Sequence, residues 1–150
     1  MKLSPHFSLT EITKSQTALR LGLDNTPDND ALTSLAILCE QVLEPIRKHY
    51  SRPVIINSGY RAPAVNKAIG SKSTSQHCKG EAVDFEIPGV DNQEIYLYIG
   101  SGGNIDFDQC ILEHYYADDF SSGWVHISYR NPDDNRRDRL RIDKSGVRRD

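Results

Sequence analysis

Hydrophobic residues follow two different spacings along this chain, and the spacings predict where helices and strands lie. Between positions 30 and 46 they recur every three or four residues, which is typical of one face of a helix. The segments 53–58, 81–87, 107–113 and 124–129 are rich in β-branched and aromatic residues, as strands are. We therefore predict an α+β domain with a small, mainly antiparallel sheet flanked by helices.

The ends of several helices are marked by particular residues. Ser8 with Glu11, and Asp91 with Glu94, have the spacing of a capping box, which predicts short helices after positions 8 and 91. The long helix is expected to bend or end near Pro45, because proline lacks the backbone N–H that a helix interior uses.

Alternation within two strands places polar side chains on the face away from the core. In the segment 82–87 the three larger apolar residues share one face, so Asp84 lies on the other. The same alternation puts His126 on a polar face. His77 lies in the loop before the first of these strands, and Gly80 would let that loop turn back.

Two histidines and one aspartate are ligand types that zinc uses in catalytic sites, where three protein ligands leave a fourth position to water. His77, Asp84 and His126 are therefore candidate zinc ligands. Each also has a plainer explanation, as a solvated strand carboxylate or a structural histidine. The sequence contains neither the HExxH motif of common metalloproteases nor paired cysteines at zinc-site spacing.

Composition and charge set limits on domain organisation. The length of 150 residues suits one core, and 37% hydrophobic with 26% charged residues indicates a globular chain. The net charge is −3, but the last fifteen residues contain seven basic residues against three acidic ones. We expect a folded domain over residues 1–134 and a basic C-terminal tail over residues 135–150, either solvated or attracted to an anionic polymer.

The sequence also predicts where the protein is made and what it does not bind. It shows no secretion signal and no apolar run long enough to span a bilayer, so we expect synthesis in the cytoplasm without membrane insertion. The basic tail lacks interleaved aromatic residues, so no specific nucleic-acid partner is expected. A monomer is expected.

Four motifs resemble one peptidase family in their order and spacing. They are SGYR at 58–61, SQHCKGEAVD at 75–84, FDQCILE at 107–113 and WVHIS at 124–128. They look like the M15 peptidases, which are zinc-dependent D-alanyl-D-alanine carboxypeptidases and dipeptidases, and the L-alanyl-D-glutamate endopeptidases of bacteriophage lysis. The resemblance runs from about His6 to Arg130 and implies a Hedgehog/DD-peptidase-like fold.

The resemblance implies roles for individual residues. The zinc ligands of the family fall on His77, Asp84 and His126, and its substrate-contacting and catalytic arginine falls on Arg61. Three further residues are expected to contact the substrate, on the weaker grounds of resemblance and position. These are Ser75, Gln76 and Trp124. Their alternative roles are to shape a turn or to pack against neighbouring side chains.

The catalytic carboxylate is the point at which the sequence departs from the family. Many members carry it three residues before the last histidine, where this chain has Gly123. FDQCILE resembles the strand that carries the glutamate in the related Hedgehog domain, so Glu113 is expected as the proton acceptor. Asp118 and Asp119, in the following insertion, are the alternatives.

The implied function is hydrolysis of peptidoglycan stem peptides by a zinc peptidase of the phage or prophage endolysin type. Such an enzyme would reach the cell wall through a holin-type pore, after lysis or inside a virion. The alternatives are a strict D-Ala-D-Ala carboxypeptidase or dipeptidase, and a non-catalytic cell-wall-binding or virion domain on the same fold.

Overall fold

The computed structural model describes residues 1–102 and 104–150, in which helices pack on a six-stranded sheet. The helices are α1 (Leu9–Thr13), α2 (Gln16–Leu21), α3 (Asn29–Leu38), α4 (Glu44–Tyr50), α5 (Pro63–Ala68) and α6 (Asn92–Gly100). The strands are β1 (Lys2–Ser4), β2 (Phe7–Ser8), β3 (Ile55–Ser58), β4 (Ala82–Glu86), β5 (Gln109–Glu113), β6 (Trp124–Ser128), β7 (Asp138–Asp143) and β8 (Gly146–Arg149).

The large sheet has the strand order β3-β4-β6-β5-β7-β8, and β1 and β2 form a separate hairpin. Every pairing in the large sheet is antiparallel except that of β5 with β7. The predicted α+β class with a mainly antiparallel sheet is therefore confirmed. In the described part of the chain, no helix has both the length and the apolar character needed to cross a bilayer.

The core lies between the helices and one face of this sheet. Val83 and Phe85 of β4 and Val125 and Ile127 of β6 are buried there together with the apolar sides of α3, α4 and α6. Since side chains alternate along a strand, the residues between them lie on the opposite face. That opposite face carries the polar residues considered below.

The predicted long helix continues past Pro45 without a break. A π-helical turn, Cys39–Leu43, joins α3 to α4, and Pro45 lies in the first turn of α4. The wider turn lies just before Pro45, where proline removes a helical hydrogen bond, and both features are known sites of helix distortion. The expected bend near Pro45 thus takes the form of a local widening.

The predicted helix start at Ser8 is confirmed at atomic detail. The backbone N–H of Glu11 donates to Ser8 Oγ at 3.3 Å, and the N–H of Ser8 donates to Glu11 Oε1 at 2.7 Å. The helix predicted after position 91 also forms, and its first turn is capped by the Asp91 carboxylate, which accepts from the N–H of Gln93.

The basic C-terminal segment, expected as a tail over residues 135–150, contains β7 and β8 and joins the sheet at β5. Arg139 and Arg141 lie 4.6 and 5.1 Å from the Tyr96 ring centroid, and the Tyr96 hydroxyl donates to Asp150 at 2.7 Å. Arginine stems and cation–π contacts take the place of apolar side chains here. For that reason the hydrophobic pattern did not predict these strands.

One ion pair between a buried carboxylate and a half-exposed arginine fastens this segment to the start of β5. Asp108 is fully buried and accepts hydrogen bonds from the backbone N–H, Nε and Nη2 of Arg136 at 2.9–3.0 Å. Burial alone would raise the pKa of Asp108, but the bonds from Arg136 outweigh it and hold that pKa below its ordinary value of 3.8.

Asp108→Asn is expected to lower the free energy of unfolding by about 2–3 kcal/mol at pH 7, because hydrogen bonds to a buried charge are lost. A carboxyl whose pKa is lowered by folding stabilises the fold above its unfolded pKa, so this contribution disappears as the pH falls below about 4. Urea unfolding at pH 7 and pH 3 measures both effects, and the difference between wild type and variant should shrink at pH 3.

Asp106→Asn is the matched control for this measurement. Asp106 pairs with Arg137, but the two side chains are 40% and 42% exposed, so their ion pair contributes less than about 1 kcal/mol. Equal losses for the two variants would contradict the assigned role of Asp108.

Candidate metal centre and active site

Three side chains that are far apart in the sequence converge on the sheet face opposite the core. Asp84 of β4 and His126 of β6 are directly paired across the two antiparallel strands. His77 reaches them from a 3₁₀ turn, Gln76–Lys79, that precedes β4. One potential ligand atom from each residue lies within 4.8 Å of the other two.

The orientation of His77 is fixed by the backbone of the SGYR motif. Its Nδ1–H donates to the carbonyl oxygen of Gly59 at 2.7 Å. This bond leaves Nε2 free to act as a ligand, and that atom lies 3.6 Å from Asp84 Oδ2. A histidine held through its other nitrogen by a carbonyl is the usual arrangement for a metal-binding imidazole.

Asp84 is the charged member of the cluster. Burial by itself raises the pKa of this carboxyl, but its contacts with His126, at 2.9 Å, and with His77 outweigh burial and hold the pKa well below the usual range. The side chains of His77, Asp84 and His126 are only 5%, 16% and 11% exposed. Two imidazoles and one ionised carboxylate in this setting fit a zinc ion.

Arg61 brings a positive charge to the edge of the cluster without a carboxylate partner of its own. Its Nε, Nη1 and Nη2 donate to Asn66 Oδ1, Ser58 Oγ and Ser75 Oγ at 3.2–3.3 Å. All three acceptors are neutral, and among the described residues no salt bridge to Arg61 is formed. Burial lowers the pKa of this guanidinium, and the nearby charge of Asp84 opposes the effect.

Glu113 lies on the same sheet face as the cluster. On β5, Ile111 is directly opposite His126, and Glu113 is two residues further along, so both side chains point to the face that carries His126 and Asp84. Burial, and next the charge of Asp84, raise the pKa of Glu113 above its ordinary value of 4.5. A raised pKa suits a carboxylate that accepts and returns a proton near neutral pH.

The family comparison agrees with this geometry. The profile of the family described as Peptidase M15 matches residues 5–128, which include the whole cluster. The chain belongs to the Peptidase M15 family. It is therefore a peptidase, and the family assignment together with the cluster supports a metallopeptidase. A search of curated proteins finds no match.

In this M15 peptidase, the glycine at the position of the usual family carboxylate has a structural reason. Gly123 has a φ of +69°, and a Cβ atom there would overlap the carbonyl oxygen of Glu113 and the backbone of His114. The chain therefore approaches the end of β5 too closely for any side chain at position 123. Glu113 at the end of β5 places a carboxylate on the sheet face of the cluster, and its catalytic role stays a prediction.

Gly123→Ala is expected to lower the free energy of unfolding by more than about 1 kcal/mol and to reduce hydrolysis, because the end of β5 must shift. Gly22→Ala is the control, since Gly22 has a similar φ of +66° but no atom within 4 Å of an added Cβ. Thermal unfolding and peptide hydrolysis of both variants separate backbone strain from overlap with β5. Equal losses of activity would contradict the assigned contact.

The alternative acids lie in an exposed turn. Asp118 and Asp119 are both exposed. Oδ1 of Asp119 accepts hydrogen bonds from the backbone N–H and the hydroxyl of Ser121, at 3.0 and 2.7 Å. These local bonds indicate that Asp119 stabilises the turn. Since Glu113 lies on the sheet face of the cluster, the geometry favours Glu113 as the proton acceptor.

The three predicted substrate contacts occupy different places. Ser75 caps the 3₁₀ turn and holds Arg61, and the Gln76 side chain donates both to Glu81 at 3.2 Å and to Asp108 at 3.1 Å. Trp124 is half-buried and packs at 5.3 Å against the ring of His114. The Ser75 hydroxyl oxygen thus accepts from both Arg61 and His77, and substrate contact by Ser75, Gln76 and Trp124 stays a prediction.

Sequence reasoning missed the groups that support the cluster. Asn66 is a buried polar residue on α5 that receives Arg61, and the Gly59 carbonyl receives His77. Gly59 lies inside the SGYR motif, so its position could have been noticed. Nothing in the sequence around Asn66 distinguishes it from an ordinary helix residue.

Proposed function

We propose that this M15 peptidase is a zinc-dependent hydrolase of peptidoglycan stem peptides, of the endolysin type found in phages and prophages. The observation that carries the proposal is the convergence of His77, Asp84 and His126 on one sheet face, with Glu113 on that face and Arg61 at its edge. A cluster of this kind combines metal ligands, a proton acceptor and an anion-binding group.

His77, Asp84 and His126 would hold the zinc ion. When bound, zinc would supply Lewis acidity that polarises a carbonyl and makes water a stronger nucleophile at neutral pH. Glu113 would take a proton from the attacking water and pass it to the nitrogen of the leaving amine.

Arg61 would bind a substrate carboxylate or steady the developing oxyanion. Its Nη1 and Nη2 each keep one N–H after donating to Ser58 and Ser75, so two donors remain for a carboxylate. The same feature favours the second candidate function, a D-Ala-D-Ala carboxypeptidase or dipeptidase, since the substrate of such an enzyme ends in a carboxylate close to the bond that is cut.

Digestion of purified muropeptides followed by mass spectrometry tests the proposal. We expect two fragments whose masses add up to that of the muropeptide plus one water, with new termini within the stem peptide. Treatment with a zinc chelator should abolish this activity. Release of terminal D-alanine alone would select the carboxypeptidase. Intact muropeptides in the presence of added zinc would contradict both enzymes and favour a non-catalytic wall-binding or virion domain.

The proposed site of action is the bacterial cell wall, reached through a holin-type pore, after lysis or from a virion. The proposal also takes the protein to be a monomer with no specific nucleic-acid partner.

A further inference from the structure

A groove with a volume of about 640 Å³ begins at His126 and continues along the sheet, away from Glu113. On β5, Gln109 and Ile111 line this groove, while Glu113 lies outside the lining. Ile111 is opposite His126, and Gln109 and Glu113 lie two residues to either side of it. The metal cluster therefore has the proton acceptor on one side and the groove on the other.

The groove carries a surplus of positive charge. Its basic side chains are Lys72, Lys79, Arg130 and Arg136, and its acidic side chains are Glu81 and Asp108. Four positive and two negative charges leave the groove at +2. The rest of the chain is net negative, since the whole sequence has a charge of −3. The positive charge is thus a local feature beside the active site.

Both acidic groups in the groove already have partners. Asp108 is held by Arg136 through two side-chain hydrogen bonds of 2.9 Å, and Glu81 accepts from the Gln76 amide at 3.2 Å. By contrast, no salt bridge within the described residues involves Lys72, Lys79 or Arg130. Three cations therefore remain for a ligand.

Gln76 adds a hydrogen-bond acceptor at the start of the groove. Its amide nitrogen donates to both Glu81 and Asp108, which fixes the orientation of the amide group and uses both of its N–H donors. Its carbonyl Oε1 is left to accept from a ligand. One acceptor beside several cations suits a peptide that offers an N–H and a nearby carboxylate.

We propose that this basic groove binds a second carboxylate of the substrate. This carboxylate lies on the part of the peptide that runs from the cleaved bond past His126 into the groove. The inference rests on the proposed function and names its substrate more narrowly, as a peptide with a free carboxylate within a few residues of that bond. The α-carboxylate of a γ-linked glutamate in a stem peptide has this chemistry. A peptide fits better than a long polyanion, because Glu81, whose partner is the neutral Gln76 amide, would repel closely spaced phosphates.

Two synthetic stem peptides that differ in one group test the inference. Both have the sequence L-Ala-γ-D-Glu-L-Lys-D-Ala-D-Ala, and the glutamate α-carboxylate is free in one and a carboxamide in the other. The zinc-loaded protein should cleave the free acid with a kcat/KM about ten- to hundredfold higher, as expected for a hydrogen bond to a charged group. Added salt should reduce this preference.

Variants then locate the preference in the groove. Lys79→Gln combined with Arg130→Gln should bring the ratio of the two kcat/KM values down towards one. Lys48→Gln is the matched control, because Lys48 is an exposed lysine on α4 outside the groove, and it should keep the wild-type ratio. An equal kcat/KM for both peptides in the wild type, or an unchanged ratio in the double variant, would overturn the inference.

Equilibrium binding separates failure of the groove from failure of the proposed activity. If neither peptide is cleaved, the proposed function fails, and fluorescence anisotropy with labelled forms of both peptides still tests the groove. Tighter binding of the free acid that is lost in the double variant supports the inference. Equal binding of the two peptides, or binding of inorganic polyphosphate that is tighter and depends on Arg130, refutes it.

Discussion

Replacing Glu113 with glutamine is expected to slow stem-peptide hydrolysis by a factor of about 10²–10⁴, the usual contribution of a general acid–base. Glutamine has nearly the same shape as glutamate but cannot accept and return the proton. Glu113 is separate from the three-residue ligand cluster, so zinc content should stay at the wild-type level. Steady-state hydrolysis and metal analysis of the same preparation measure the two effects.

Asp119→Asn provides the control for Glu113→Gln. It removes a carboxylate charge from the exposed turn that follows β5, where Asp119 bonds to Ser121. We expect wild-type hydrolysis from this variant. Full activity in Glu113→Gln together with a large loss in Asp119→Asn would transfer the catalytic role to the turn.

Asp84→Asn should abolish hydrolysis and weaken zinc binding by more than about 100-fold. Asp84 contributes the only negative charge among the three proposed ligands, and its contacts with His126 and His77 hold it ionised. Changes to groups outside the ligand set already reduce metal affinity by about 10–100-fold, so loss of a ligand should cost more. Competition titration with a zinc indicator measures the affinity.

Glu86→Gln is the matched control for Asp84→Asn. Glu86 lies two residues further along β4 on the same sheet face, and it is outside the three-residue ligand cluster. The zinc affinity of the Glu86→Gln variant should equal that of the wild type. If Asp84→Asn bound zinc as tightly as Glu86→Gln, Asp84 would not be a ligand.

The sheet face on which Asp84 and His126 lie was predictable from the sequence because side chains alternate regularly along a strand, whereas the pairing of β4 with β6 was not. Alternation along β4 and β6 placed Asp84 and His126 on the polar face, and antiparallel pairing then set them opposite each other. His77 needed the family resemblance, since a loop residue has no periodicity that predicts its direction. The SGYR motif similarly pointed to Arg61 but not to the neutral acceptors that hold it.

Other parts of the structure depend on long-range contacts that leave little trace in the sequence. β7 and β8 consist largely of charged residues, and they are stabilised by contacts such as that of Arg139 with Tyr96 and by pairing with β5. The close approach of Gly123 to Glu113 is likewise set by how the insertion returns to the sheet. A glycine alone does not predict which backbone it will meet.

Anomalous diffraction at the zinc absorption edge, from crystals of the zinc-loaded protein, tests the central claim most directly. We expect one strong peak per chain within about 2.0–2.2 Å of a nitrogen of His77, an oxygen of Asp84 and a nitrogen of His126. A zinc peak elsewhere, with these three side chains making no contact to the ion, would contradict the assigned metal centre and the mechanism built on it.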